Sequence, residues 1–116
     1  MYLDIYEAIE RRRLIQVYYG GYSRVVEPRI YGCDSRHVDV LKAYQIAGAD
    51  ELGRHIGWKW FTVSRIEAVL VLATRFTASR NEDGLRNRVL QRVYCQVSPS
   101  PFPTGDASGA GQYRRR

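Results

Sequence analysis

The sequence predicts a mainly β chain, a short N-terminal helix followed by a small, strongly bent barrel of five strands. Apolar residues recur at helical spacing only over residues 4–13, after which β-branched and aromatic residues dominate the apolar runs. Glycine-containing turns separate those runs at short intervals. A chain of 116 residues can bury one modest core. Closing five short strands around that core would remove their exposed edges.

The elements follow in order. In the helix over residues 4–13, Asp4 and Glu7 have the spacing of a capping box. Ile5, Ala8 and Ile9 form its apolar stripe, with Tyr6 at the edge. Glu7 and Glu10 come early and Arg11 to Arg13 late, which complements the helix dipole, and the arginine triplet reads as a solvated last turn. Residues 14–19 form the first strand, and Gly20-Gly21 is a two-residue hairpin turn. Residues 22–31 return, with Pro28 requiring an edge or a bulge. Residues 32–35 read as a second turn, 37–47 as a third strand and 48–56 as a loop.

Residues 58–63 form the fourth strand, Arg65 and Ile66 a tight corner, and residues 68–73 a fifth strand. Over 76–90 the pattern gives a turn at 81–84 and a short helical stretch, and 92–97 alternates as a last strand. Val17, Val25, Leu41, Phe61, Val63, Val69 and Val71 are the expected core. Residues 1–98 make one domain. Three of the 4 prolines fall in residues 99–116, which read as a disordered basic tail.

Composition narrows the function. Apolar content of 45% with 26% charged residues is ordinary for a globular chain. No apolar run approaches the roughly 20 residues of a membrane helix. The start, Met1-Tyr-Leu-Asp4, leads straight into an acidic helix pattern unlike a secretory signal, so the expected location is the cytoplasm, with no membrane partner. Net charge is +6, from 18 basic and 12 acidic residues, with Arg114 to Arg116 supplying three of the basic ones. That balance favours anionic partners. Cys33 and Cys95 form no CxxC pair, and with His37 and His55 they lack knuckle spacing, so reduced thiols are expected and no metal.

Catalysis is not expected. His37 lies near Asp34, Ser35 and Asp39 in sequence. Residues two apart on a strand point the same way, about 6–7 Å apart, and a hairpin turn gives a serine no sheltered pocket. Serine and aspartate are also common turn residues. Phosphate-loop, dinucleotide and HExxH patterns are absent from the sequence, so no cofactor is expected.

Binding has better support. Arg24-Val-Val-Glu-Pro28, Leu41-Lys-Ala-Tyr-Gln45 and Gly57-Trp-Lys-Trp-Phe61, running on to Arg65-Ile66, interleave basic and aromatic residues on three successive strands. A single strand of nucleic acid or a nucleotide is gripped by that combination. Along the third strand Val38, Val40, Lys42, Tyr44 and Ile46 share one face, and Leu41, Ala43 and Gln45 the other. Trp58 and Trp60 likewise share a face, either covered by the helix through Ile5 and Ile9 or exposed for base stacking. Arg24 and Arg65 read locally as solvated residues that could pair with Glu27 or Glu67, or as planar forks for a phosphate.

The order of pieces resembles the WYL domain family. Arg11 to Arg13 end a short helix; Arg24-Val-Val-Glu-Pro28, Leu41-Lys-Ala-Tyr44 and Phe61-Thr-Val-Ser-Arg65-Ile66 follow, a match over about residues 5–76. The family's Trp-Tyr-Leu signature falls on Asp39-Val40-Leu41, where only the leucine matches. The resemblance implies an Sm-like five-stranded barrel that binds a ligand, often nucleic acid or a nucleotide, and regulates bacterial transcription or phage defence. It implies that Arg24 and Arg65 face the ligand, with His37, Lys42, Tyr44 and Gln45 beside them. Family members usually add a winged helix-turn-helix before the barrel and a further domain after it. This chain has room for neither, so a stand-alone sensor or a partner-dependent regulator is expected.

The sequence thus predicts a ligand site of Arg24, His37, Lys42, Tyr44, Gln45, Trp58, Trp60 and Arg65. In it the arginines hold phosphate, Tyr44 and one tryptophan stack on a base, and His37 and Gln45 read polar edges. The rival expectation is an interaction module that pairs its last strand, residues 92–97, with another copy or a regulatory protein.

Overall fold

Among the described residues the chain forms one short helix, six strands and a single turn of 3₁₀ helix. The computed structural model describes residues 2–50, 53, 56–80 and 89–98. The turn and helical stretch expected over 81–88, the tail 99–116 and His55 lie outside the described residues. The elements are α1 (Tyr2–Arg11), β1 (Arg13–Tyr19), β2 (Tyr22–Asp34), β3 (Asp39–Gly48), β4 (Gly57–Thr62), the 3₁₀ turn Val63–Arg65, β5 (Ala68–Arg75) and β6 (Leu90–Gln96). The strands pair antiparallel in the order β4-β3-β2-β1-β5, with β6 added on β2. No ladder joins β4 to β5 among the described residues, so the sheet is open, and the last strand expected over 92–97 joins it as β6, a sixth member beyond the five expected to form the barrel.

Strand β2 organises this sheet. One edge pairs with β3 along almost its whole length. The other pairs with β1 as far as Val26 and with β6 from Ile30 onward. The change of partner falls at Pro28, which has no N–H to give to a ladder, and the β2–β3 register shifts between Pro28 and Ile30. The sequence expects an edge or a bulge at this proline, and the ladder is irregular there.

Gly32 was expected in a turn but lies inside β2. A Cβ there would stand 2.3 Å from the Arg92 carbonyl oxygen of β6, so glycine is needed for the two backbones to close up. The turn lies further on. Asp34 accepts from the backbone N–H of Arg36 at 2.9 Å and of Val38 at 3.1 Å, and β3 starts only at Asp39. Between β1 and β2, Gly20 and Gly21 take φ of 60° and 82°, the hairpin turn that the sequence predicts.

Helix α1 begins before Asp4, so that carboxylate sits in the first turn rather than at the cap, still favourable to the dipole. Ile5, Ala8 and Ile9 bury against β1, β2, β5 and β6. They meet Ile15, Val17, Val26, Tyr31, Leu41, Ala43, Phe61, Val63, Ile66 and Cys95 in one core. Each large aliphatic or aromatic side chain buried there contributes roughly 1.5–3 kcal/mol. Val69 and Val71 pack at its margin, whereas Val25, expected inside, is only half-buried because Val26 takes the inward position. The arginine triplet is not simply solvated. Arg12 is buried at a left-handed φ of 55° and donates to the Ser98 carbonyl at 2.7 Å. Burial, and then the charge of Arg29, hold its pKa below the usual arginine value.

Both cysteines are buried and unbonded to each other. Burial and the neighbouring Glu10 push the Cys95 thiol up to about 12. No helix among the described residues is long and apolar enough to cross a membrane.

Candidate nucleic-acid interface

Antiparallel pairing of β3 with β4 sets Lys42 opposite Trp60 and Tyr44 opposite Trp58. Alternation puts these four side chains on the sheet face that points away from Leu41 and Phe61. Helix α1 packs elsewhere, so it does not cover the tryptophans. Both tryptophans are half-buried.

Their support comes from beneath. The Lys42 side chain is buried, with its ammonium 5.1 Å from the Trp58 ring and 5.8 Å from that of Trp60. Such contacts are worth about 2 kcal/mol when desolvated. Lys42 therefore fixes the two indoles and is not itself the exposed ligand contact that the sequence predicts. Tyr44 meets Trp58 edge to face at 5.3 Å. On the other side of Tyr44 the Arg80 guanidinium stacks at 3.9 Å from the ring centre.

Arg80 is held in turn by Glu27. Its Nε donates to Oε1 at 3.2 Å and Nη2 to Oε2 at 2.6 Å. This bond is the main reason that the Arg80 pKa lies above its ordinary value. Arg29 also donates to Glu27, making an Arg–Glu–Arg group in which Glu27 and Arg29 are buried and Arg80 is exposed. Arg29 Nη1 reaches the carbonyl of Ala78 at 2.6 Å and Nη2 also that of Thr77 at 3.1 Å, and the guanidinium lies 4.6 Å from the Phe76 ring centre. Segment 76–80 is thereby clamped against β2. Between this segment, Trp58 and the end of β6 lies a cleft of about 200 Å³.

The other predicted site residues are elsewhere. Arg24 pairs with Val17, so it points into the core side of the sheet, opposite to the tryptophans. It is buried, donates to the Tyr19 carbonyl at 2.9 Å, and lies 5.4 Å from the Tyr19 ring centre and 5.6 Å from that of Phe61. Arg65, exposed on the 3₁₀ turn, approaches the same Tyr19 ring at 6.0 Å. Gln45 is completely buried opposite Val26 and Gly57, and neither amide atom has a hydrogen-bond partner among the described residues. His37 is exposed in the β2–β3 turn at a φ of 62°, not on the strand. The structure therefore unites Lys42, Tyr44, Trp58 and Trp60 and separates them from Arg24, Gln45, Arg65 and His37.

Sequence reasoning missed Arg80, Arg29 and Glu27 as parts of the face. Glu27 and Arg29 flank the proline of β2, but nothing in the sequence brings Arg80 back over Tyr44. Lys59, paired with buried Asp50 at 2.7 Å, was also unforeseen. Comparison of the chain with protein-family models, with curated proteins and with solved structures finds no match.

Proposed function

We propose that the chain is a non-catalytic regulatory module that binds single-stranded nucleic acid, or its nucleotide units, on the Trp58–Trp60 face. One observation carries this reading: two half-buried tryptophans on alternate residues, backed by the Lys42 ammonium and continued by the Arg80–Tyr44 stack. Aromatic surfaces of this kind take bases of any sequence, and neighbouring cations track the backbone. Arg24 and Arg65 are assigned to the opposite side of the sheet, not to the phosphate contacts.

The same proposal includes the finer fold. The N-terminal helix, the strand order β4-β3-β2-β1-β5 and the 3₁₀ corner between β4 and β5 support an Sm-like arrangement of the WYL kind.

The test is a titration with octathymidylate, as DNA and as RNA, at two salt concentrations, read by tryptophan fluorescence. Binding should quench the indoles and weaken with salt as counterions are released. Trp60→Ala should lower affinity about 5- to 150-fold, the range of one lost base stack at ~1–3 kcal/mol. An unchanged affinity would remove this face as the site.

A second reading rests on the β6 edge, where Val93 and Tyr94 are exposed, beside the exposed Tyr2, Leu3 and Tyr6 of α1. That edge could pair with a second copy. A concentration-independent dimer in light scattering, with no response to any strand, would favour it.

A further inference from the structure

We propose that the cleft beside Trp58 is a pocket for one unpaired nucleobase. The inference rests on the reading of the Trp58–Trp60 face as a nucleic-acid platform and names what one end of it recognises.

Size comes first. At about 200 Å³ the cleft is smaller than pockets for drug-sized ligands, which start at roughly 300 Å³. One ring system fits the scale; a dinucleotide does not. Chemistry then selects among small ligands. Two arginines line the cleft, but their donors are largely committed: Arg29 to Glu27, Ala78 and Thr77, and Arg80 to Glu27 through two nitrogens. The pair is not a claw for a free phosphate. It offers flat, delocalised surfaces, locked in place by the shared carboxylate, beside the Trp58 indole.

Two polar features remain. Arg29 is 5% exposed, and its Nε carries a hydrogen with no acceptor among the described residues. Gln96, at the exposed end of β6, adds an amide that both donates and accepts. Ala78 and Val97 supply apolar lining. Flat cationic and indole surfaces and one amphoteric amide suit the face and edge of a base. The two guanidiniums and one carboxylate leave a net positive charge for the phosphate that follows.

Position agrees with this. Trp58 belongs both to the platform and to the cleft. Trp58 and Trp60 are two residues apart on a strand, about 6–7 Å, which is twice the ~3.4 Å rise of stacked bases. A strand crossing the platform must therefore be extended and unstacked, free to turn one base into the cleft.

The experiment uses the full chain and an eight-nucleotide abasic strand carrying a single thymine or adenine, compared with the wholly abasic strand. The base should raise affinity about 5- to 150-fold, the range of one base stack. Ala78→Phe should erase that gain by filling the cleft, and Gln96→Trp, at an exposed position that does not threaten folding, should do the same. Trp60→Ala should keep the gain. Free thymidine and adenosine monophosphates form a parallel arm. Binding as tight as that of the one-base strand identifies a free nucleotide as the source of the base, and much weaker binding identifies a strand; both support the pocket. Inorganic phosphate binding equal to the monophosphates overturns it. A gain that survives both plugging variants but is lost in Trp60→Ala also overturns the pocket while leaving the platform standing. Failure of every strand and nucleotide to bind overturns both readings.

Discussion

On one face of the β3–β4 pair, Lys42, Tyr44, Trp58 and Trp60 satisfy one another, and the Arg29–Glu27–Arg80 group closes the margin. On the other face, Leu41, Ala43 and Phe61 build the core, and Gln45 is buried among apolar side chains with its amide unpartnered among the described residues. The first face spends its polar groups on holding aromatic rings in place, with both tryptophans half-buried. The second carries a buried amide with no partner among the described residues. Function and stability are thus divided between the two sides of the same two strands, and substitutions on each side should separate them.

The largest effect is expected at Glu27. Replacing it with alanine leaves Arg29 buried beside Arg80 with no carboxylate between them. Breaking a buried ion pair in this way costs about 3–5 kcal/mol. Urea unfolding should show that loss, and the released Arg80 should weaken strand binding in the fraction that still folds. A loss under about 1 kcal/mol would mean that the group does not hold segment 76–80.

Gln45 should behave in the opposite sense. A buried amide without partners costs about 1–3 kcal/mol, so Gln45→Met should raise the unfolding free energy by a comparable amount. Strand affinity should stay within twofold, because the residue lies across the sheet from the tryptophans. A destabilised Gln45→Met would show that the amide is satisfied in solution; a more stable variant that no longer binds would put Gln45 in the site.

Alkaline pH probes the core side again. The Cys95 thiol rises from its ordinary 9.0 to about 12, chiefly through burial and then through Glu10. Between those values the unfolded chain has released a proton that the folded chain keeps. Stability is therefore whole below the unfolded pKa and falls as pH climbs toward the folded one. One unit above the unfolded value the loss is ~1.4 kcal/mol. Burial, with Asp39 and Tyr2, also pushes Tyr31 up to about 12, so Cys95→Ala should flatten the decline without abolishing it. An equal slope in wild type and variant would assign the effect to other groups.

Much of this division was legible in the sequence. Composition and periodicity gave the helix, the succession of strands along the chain and a break in regular pairing at Pro28. The two-residue turn at Gly20-Gly21 also fixes the register of the hairpin. It pairs Tyr19 with Tyr22 and hence Val17 with Arg24. With Val17 inside, Arg24 had to point inward too, and expecting Val25 in the core reversed that parity. Gln45 shares a face with Leu41 and follows it into the core by the same rule. Gly32 misled because a glycine that admits a neighbouring backbone looks, in sequence, like one that makes a turn. Arg80 had no local signal at all: its place over Tyr44 depends on a long-range pairing with Glu27.

The smallest effect is expected at Arg65, where the two faces can be told apart most cleanly. Arg65 is exposed on the 3₁₀ corner, and its recorded ring contact is with Tyr19 on the core side, at 6.0 Å. An exposed side chain of this kind contributes within about 0.5 kcal/mol of stability. Since it lies away from the indole platform, Arg65→Ala should leave fluorescence-detected strand affinity within twofold, apart from a slightly shallower salt dependence through lost long-range attraction. The informative comparison is with Trp60→Ala under the same salt. If Arg65→Ala abolishes binding while Trp60→Ala spares it, the ligand sits at the Arg24–Tyr19–Arg65 corner, and the tryptophan face becomes a surface for something else.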